Sequence, residues 1–494
     1  MKSDRLWLAK RVNLGLAGGI AAWFFFLPGL TVLRDLTDPA LRSDTVPRAA
    51  RRLFHALTPR YRRWAEARVA RGRAAGLTPE QIAATEWPLF GSVFYLWAVE
   101  ELQAEWERSP APRGPAPRDT ARGAIEAAVA LVLDPAHAKW VRDHWGENYL
   151  ERENVFYRAL LIAAMDSHYR LTGNPCHLPR LRAMADALAN ELDRSPFGLL
   201  DDYPGQCYPT DVMMAVALIR RAGPAVGRDY SAFAERAIRG FEGGRLDRLG
   251  LPPYDADARR GVAGPARGCG LSYAGMSAPY LWPDRARDWF ERYEEHFWQE
   301  RHGLHGFREF PRGASEGSWY FDVDSGPVIG GVGVSASAFG LAAARTMGRF
   351  DRAWPLAAQT LVFGWPLPDG TLLTARLLSN AAHAPYLGEA CILYNLTRRA
   401  APGMAAQTGG SLPPVAVAGS AAYFLLGALF AASEWCSLRR WRRRAAMRPT
   451  RAPRLQWIAW LTLLGAAVLI AVLFGPTPGF LVLVPALLFP AQFL

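Results

Sequence analysis

The sequence predicts an all-α protein, an α/α toroid of about six helical hairpins attached to transmembrane helices. Three observations predict it. Apolar runs lie near both ends, at 12–33, 415–435 and 456–494, and the first two are long enough as helices for a hydrocarbon core of about 30 Å. Between them, 45–405 alternates Ala-rich stretches at helical spacing with short loops of Gly, Pro and Asp. That stretch has no fixed repeat period, which favours a closed ring of hairpins over an open solenoid.

Taken in order, residues 12–33 are uncharged, include Trp23, Phe24, Phe25 and Phe26, and read as an anchor. No small-x-small cleavage site follows, so the segment is expected to stay attached. Helices are expected near 79–107, 120–141, 153–172, 178–194, 210–222, 229–243, 272–281, 284–299, 327–347, 350–362 and 379–398, with a Pro/Arg linker at 108–119. The irregular segments 195–210, 244–271 and 300–326 are expected to cover one mouth of the ring, where function tends to sit. A spanning segment at 415–435, an Arg-rich cytoplasmic loop at 436–455 and a transmembrane hairpin at 456–494 complete the chain.

Charge sets the expected topology. The net charge is +12, but four of the basic residues precede or open the first apolar run and eight arginines lie between Arg439 and Arg454. Basic stretches this close to apolar segments stay cytoplasmic. Both then lie inside, and the central domain falls on the opposite face, the periplasm of a double-membrane bacterium. The expectation is a multi-pass inner-membrane protein whose partners are the lipid bilayer and a small-molecule substrate. Without the flanking charges the central domain is near neutral, which argues against nucleic acid. The five cysteines show no C-x-x-C spacing, and His144, His168 and His177 show no metal-ligand spacing, so no metal is expected. No Walker, Rossmann, G-x-S-x-G or zinc-protease motif is present, and no cofactor is expected.

The densest polar stretch is SPFGLLDDYPGQCYPTD, where Asp201, Asp202, Asp211 and Cys207 offer acids and a thiol, and Tyr203 and Gln206 offer substrate contacts. An ordinary turn with Asp211 capping the next helix is the alternative. In WYFDVDSGPVIGGVG, Asp322 and Asp324 precede a glycine-rich stretch, with Trp319 and Tyr320 beside them as platforms. Calcium is disfavoured there, because the loop lacks the third acid and closing glutamate of an EF-hand. In YLERENVFY, Asn154 and Tyr157 share a helix face that suits an inner wall. Tyr273 in GLSYAG, and Glu309 and Arg312 in REFPRG, are further candidates.

At these residues the chain resembles the linalool dehydratase/isomerase family. The resemblance runs through ERENVFYRAL, YRLTGN, ANEL with SPFG after it, and QC before a helix, and resumes at SYAG and DVDSGPVIGGVGVSASAFGLAAAR. It implies a ring of α-hairpins, ring-shaped homo-oligomers, and a cofactor-free site that removes water from, or adds it to, an apolar alcohol. Cys207 falls at one of the family's active-site cysteines and Tyr273 near a substrate-contacting tyrosine. Leu160 stands where the family has its histidine, and the second cysteine has no counterpart. Three functions follow as expectations: a lyase or hydratase-isomerase, a carbohydrate-active enzyme pairing Asp202 with Asp324, and a non-catalytic envelope binding protein.

Overall fold

Two kinds of helix differ in what they bury. Leu178–Arg194 buries Leu181, Met184, Ala185, Leu188, Ala189 and Leu192, a single stripe at three- and four-residue intervals. Pro283–Phe297 does the same with Ala286, Trp289, Phe290, Tyr293 and Phe297. Val155–Thr172 instead buries nearly every side chain from Val155 to His168, and Gly268–Ala274 buries all of its residues. A helix buried on all sides needs protein on all sides.

The computed structural model describes residues 2–72, 74, 82–111, 114–314, 317–447, 454–474 and 481. These are mostly helical and form two compact units, one of Leu36–Gly364 with Leu372–Val415, the other of Met1–Asp35, Trp365–Thr371 and Ala416–Leu494.

In the larger unit, Ile82–Arg108 packs on Val155–Thr172, which packs on Pro209–Val226, which packs on Gly268–Ala274. Gly268–Ala274 packs on Val334–Thr346, that on Leu387–Thr397, and the last packs back on Ile82–Arg108. Pro117–Leu133 and the one-sided Leu178–Arg194 each pack on two members of this cycle, and Phe350–Phe363 on one. Arg221 links three cycle helices, donating from Nε to Asp166 at 2.7 Å and from Nη2 to Glu100 at 2.7 and 2.8 Å.

The boundaries depart from expectation where side chains compete with the helix. A helix, Arg48–Ala70, occupies a stretch where none was expected. The helix expected at 327–347 starts only at Val334, because the alternating segment before it forms strands: Trp319–Asp322 pairs antiparallel with Gly326–Ile329, which pairs with Val332–Gly333. Trp298–Arg301 and Leu304–Phe307 form a hairpin where a helix end and loop were expected. The helix expected at 379–398 is divided into Leu373–Leu378 and Leu387–Thr397; between them Asn380 Oδ1 accepts from the backbone of Ala382 and His383, and Pro385 follows.

In the smaller unit, two helical stretches, Arg11–Leu36 and Pro414–Arg440, are long and apolar enough to cross a membrane, and Trp460–Ile470 is a shorter apolar helix. Leu30, Leu33, Leu425, Leu429 and Val468 are exposed on them, as lipid-facing residues are. A π-helical turn, Ala22–Phe26, interrupts the first stretch, and the Trp365 indole N–H donates to the Phe24 carbonyl at 2.7 Å. This supplies a partner where the wider turn disturbs the backbone ladder. Gly427 admits close approach, since a Cβ there would lie 3.0 Å from Phe25 Cβ. The arginine-rich stretch expected as a loop is helical as far as Met447, as a Gly- and Pro-free run of Arg, Ala and Trp permits. Apart from Leu481, the last expected span, 480–494, lies outside the described residues.

Candidate active site

The polar stretch after Leu178–Arg194 folds into a tight hairpin at Pro204-Gly205, with Tyr203 bridged to Gln206 and Gly205 at φ 79°. Asp202 holds it in place. Its Oδ1 accepts from the Phe156 backbone N–H at 2.7 Å and its Oδ2 from that of Tyr208 at 3.1 Å, so one carboxyl caps the starts of two cycle helices. Burial pushes this carboxyl up to about 8, against those two bonds, which favour the charged form. Asp201 is equally enclosed, accepting from Gly205 N–H at 2.8 Å while its own N–H donates to Glu153 at 3.0 Å. Gln206 is solvent-exposed and serves the hairpin through its backbone. Tyr203 packs against Trp140 and His144, with ring centroids 5.9 and 5.1 Å away.

Three further carboxyls influence one another from separate segments: Glu86 in Ile82–Arg108, Asp211 in the first turn of Pro209–Val226, and Asp324 in the turn joining Trp319–Asp322 to Gly326–Ile329. Burial pushes the Glu86 carboxyl well above the usual carboxylate range, and the charges of Asp324 and Asp211 add to the shift. Burial also raises Asp211, with Asp202 and Asp324 contributing. Neither Glu86 nor Asp211 is fully covered. Burial raises Asp324 as well, although its Oδ2 accepts a short hydrogen bond from the Tyr254 hydroxyl.

Beside these acids lies an aromatic wall. The Phe90 ring sits one helical turn from Glu86 on the same helix face, with centroids 5.6 Å from Phe156, 5.8 Å from Tyr273 and 6.3 Å from Phe339. Four members of the helix cycle contribute to it. Phe90, Phe156 and Phe339 are only half-buried. Tyr273 joins wall and acids, because the Asp211 charge is among the causes, after burial, that push its hydroxyl up.

The glycine-rich hairpin is bound to the cycle through Arg267, whose Nε donates to Glu309 at 2.8 Å and Nη2 to Asp322 at 2.7 Å. Its guanidinium lies 4.4 Å from the Tyr254 ring centroid. Glu309 is completely buried and also accepts from the Cys269 N–H at 3.2 Å and thiol at 3.1 Å. Gly268 permits this closeness; a Cβ there would fall 1.9 Å from the Arg308 carbonyl oxygen.

Of the candidates read from the sequence, Asp202, Asp211, Asp324 and Tyr273 thus fall within one electrostatic neighbourhood. Asn154 and Tyr157 are buried: the Asn154 amide donates to the Tyr149 carbonyl at 3.1 Å, and Tyr157 packs on Trp140. Trp319 is 76% exposed, while Tyr320 donates to Asp322 at 2.9 Å. Cys207 is buried, and burial, then Asp202 and Asp201, push its thiol well up, which keeps it protonated. Glu86, Tyr254 and Cys269 were not among the candidates; a glutamate one turn before the Phe90/Phe94 pair is the signal that points to Glu86. Thiol-selective labelling of the folded, chelator-stripped protein, read by mass spectrometry, is expected at Cys176 and Cys436, which are exposed, and not at buried Cys207, Cys269 or Cys391. The chain matches no protein-family model, and no curated protein matches it.

Proposed function

We propose that this protein is a membrane-anchored acid–base enzyme of the lyase or hydratase-isomerase type, acting on a small apolar alcohol without a cofactor, its larger unit an α/α toroid on the periplasmic side. The observation that carries the reading is the group of carboxyls Glu86, Asp211 and Asp324, each raised by burial, with Asp324 adding to the shifts of the other two and Asp211 to that of Glu86, beside the wall of Phe90, Phe156, Tyr273 and Phe339. The closed cycle of helix contacts supports the toroid, and the arginines at the end of Pro414–Met447 support the orientation.

Elimination of water needs an acid for the departing hydroxyl and a base for the neighbouring C–H. A carboxyl held protonated donates to the hydroxyl oxygen, the C–O bond breaks and water leaves. A second, ionised carboxyl then takes the proton from the adjacent carbon, whose C–H electrons form the alkene. The two carboxyls exchange roles, so proton transfer between them restores the starting state. Asp211 and Glu86 suit the acid, since no hydrogen bond contributes to either shift; Asp324, where the bond from Tyr254 favours the charged form against the effect of burial, suits the base. Aromatic faces favour positive charge developing on carbon. Asp202 is less suited to the proton-transfer role in either an alcohol-directed or a sugar-directed reaction, because both of its oxygens accept from backbone N–H groups.

The test incubates purified, detergent-solubilised protein with a panel of tertiary and allylic alcohols and the matching alkenes in deuterated water, followed by gas chromatography–mass spectrometry. Expected are interconversion of one alcohol–alkene pair and deuterium on carbon, both lost in Glu86→Gln. Absence of turnover across the panel, with hydrolysis of glycosides instead, overturns the reading.

A further inference from the structure

Val155–Thr172 carries Phe156 in its first turn and His168 just before its last, about 18 Å along the axis from it. There the chain reverses. Gly173 ends the helix at φ 72°, and the Asn174 side chain accepts from the Cys176 N–H at 3.1 Å, shaping the Pro175–His177 turn. The reversal brings one donor atom from each of His168, Cys176 and His177 within 4.8 Å of one another, with the imidazole centroids 5.1 Å apart. A tetrahedral zinc ion holds nitrogen at about 2.0–2.1 Å and sulfur at about 2.3 Å, so its ligands are roughly 3.5 Å apart. Closing the remaining distance takes a small movement of the exposed Cys176.

A second observation concerns His168 alone. Its side chain is 2% exposed, and its Nε2 lies 3.2 and 3.3 Å from the two carboxylate oxygens of Glu126. Its Nδ1 is buried and has no hydrogen-bond partner. With Nε2–H donating to Glu126, a neutral ring keeps its lone pair on Nδ1, the nitrogen a metal takes, while the carboxylate orients the ring from behind. A buried acceptor left without a partner destabilises a fold, so its presence calls for an explanation.

We propose that His168 Nδ1, Cys176 Sγ and His177 bind a zinc-type divalent cation, with Glu126 as the positioning residue and a fourth position open to water or an added ligand. Two imidazoles and a thiolate suit zinc and disfavour magnesium or calcium, which take oxygen ligands. The ion would tie the end of Val155–Thr172 to the turn after it and, through Glu126, to Pro117–Leu133.

The test titrates cobalt(II) into tag-free, full-length protein that has been reduced and stripped with chelator in detergent. Expected is one equivalent bound with a thiolate-to-cobalt charge-transfer absorption, displaced by one equivalent of zinc. Cys176→Ser, at an exposed position, should abolish that absorption, whereas Glu126→Gln should keep it and weaken affinity by about 10–100-fold. Absence of the absorption, or its survival in Cys176→Ser, overturns the proposal.

Discussion

Asp211→Asn is expected to lower turnover by about 10²–10⁴-fold, the range for loss of one general acid, while making the protein more stable at alkaline pH. The two effects have one origin. Asp211 sits in the first helical turn, where the dipole favours an anion, yet burial, Asp202 and Asp324 hold its carboxyl well above the usual range. A raised carboxyl binds a proton in the folded state that the unfolded chain releases. The stability it contributes is therefore fully present below the unfolded pKa of about 3.9 and is lost as pH rises through the folded value. Glu86 acts in the same direction, as does Asp202, whose carboxyl is pushed up to about 8. The wild-type unfolding midpoint should thus fall between about pH 5 and pH 8, and the decline should be shallower in Asp211→Asn, which carries no charge there. Thermal unfolding by intrinsic fluorescence across that range reads the stability, and the deuterium assay reads the rate. An unchanged rate would remove Asp211 from the chemistry, and an unchanged pH slope would mean that its carboxyl is ionised in the fold.

Glu309→Ala should destabilise the larger unit by about 3–5 kcal/mol, the range for removing one partner of a buried ion pair. Glu309 has no exposed surface and accepts from Arg267 Nε, the Cys269 N–H and the Cys269 thiol. Without it Arg267 keeps only Asp322 of its two carboxylate partners, and the Cys269 N–H loses its acceptor beneath the hairpin. Glu309→Gln retains the volume and one acceptor, so its loss should be smaller. The double variant Arg267→Met with Glu309→Leu should recover part of the stability, because no buried charge is then left unpaired. Denaturation midpoints of the four proteins provide the comparison. A loss below about 1 kcal/mol in Glu309→Ala would reduce the ion pair to the value of a surface contact.

The candidate site was legible in part. Asp211 and Asp324 attract notice as acids in loops between helices, and the structure makes them neighbours in charge. Glu86 lies inside a helix more than a hundred positions before either, away from the acid-rich loops that draw attention in the sequence. Asn154 and Tyr157 show the opposite case. Their spacing predicts a shared face, but periodicity does not say whether that face meets a recess or a neighbouring side chain, and Tyr157 meets Trp140. The same applies to His168, Cys176 and His177, which follow no ligand spacing and are brought together by a helix end and one Asn-capped turn.

What the sequence determined by itself is local: helical periodicity, the apolar stretches long enough to span, the basic residues flanking them, and the turn residues that end helices. These depend on interactions within a few positions, so they can be read along the chain. The tertiary structure alone decided which acids feel one another's charge, which thiols are covered and which imidazole nitrogen lacks a partner. Desolvation and Coulomb interaction depend on distance in space and on what displaces water, and here both arise from helices far apart in sequence that pack into one cycle.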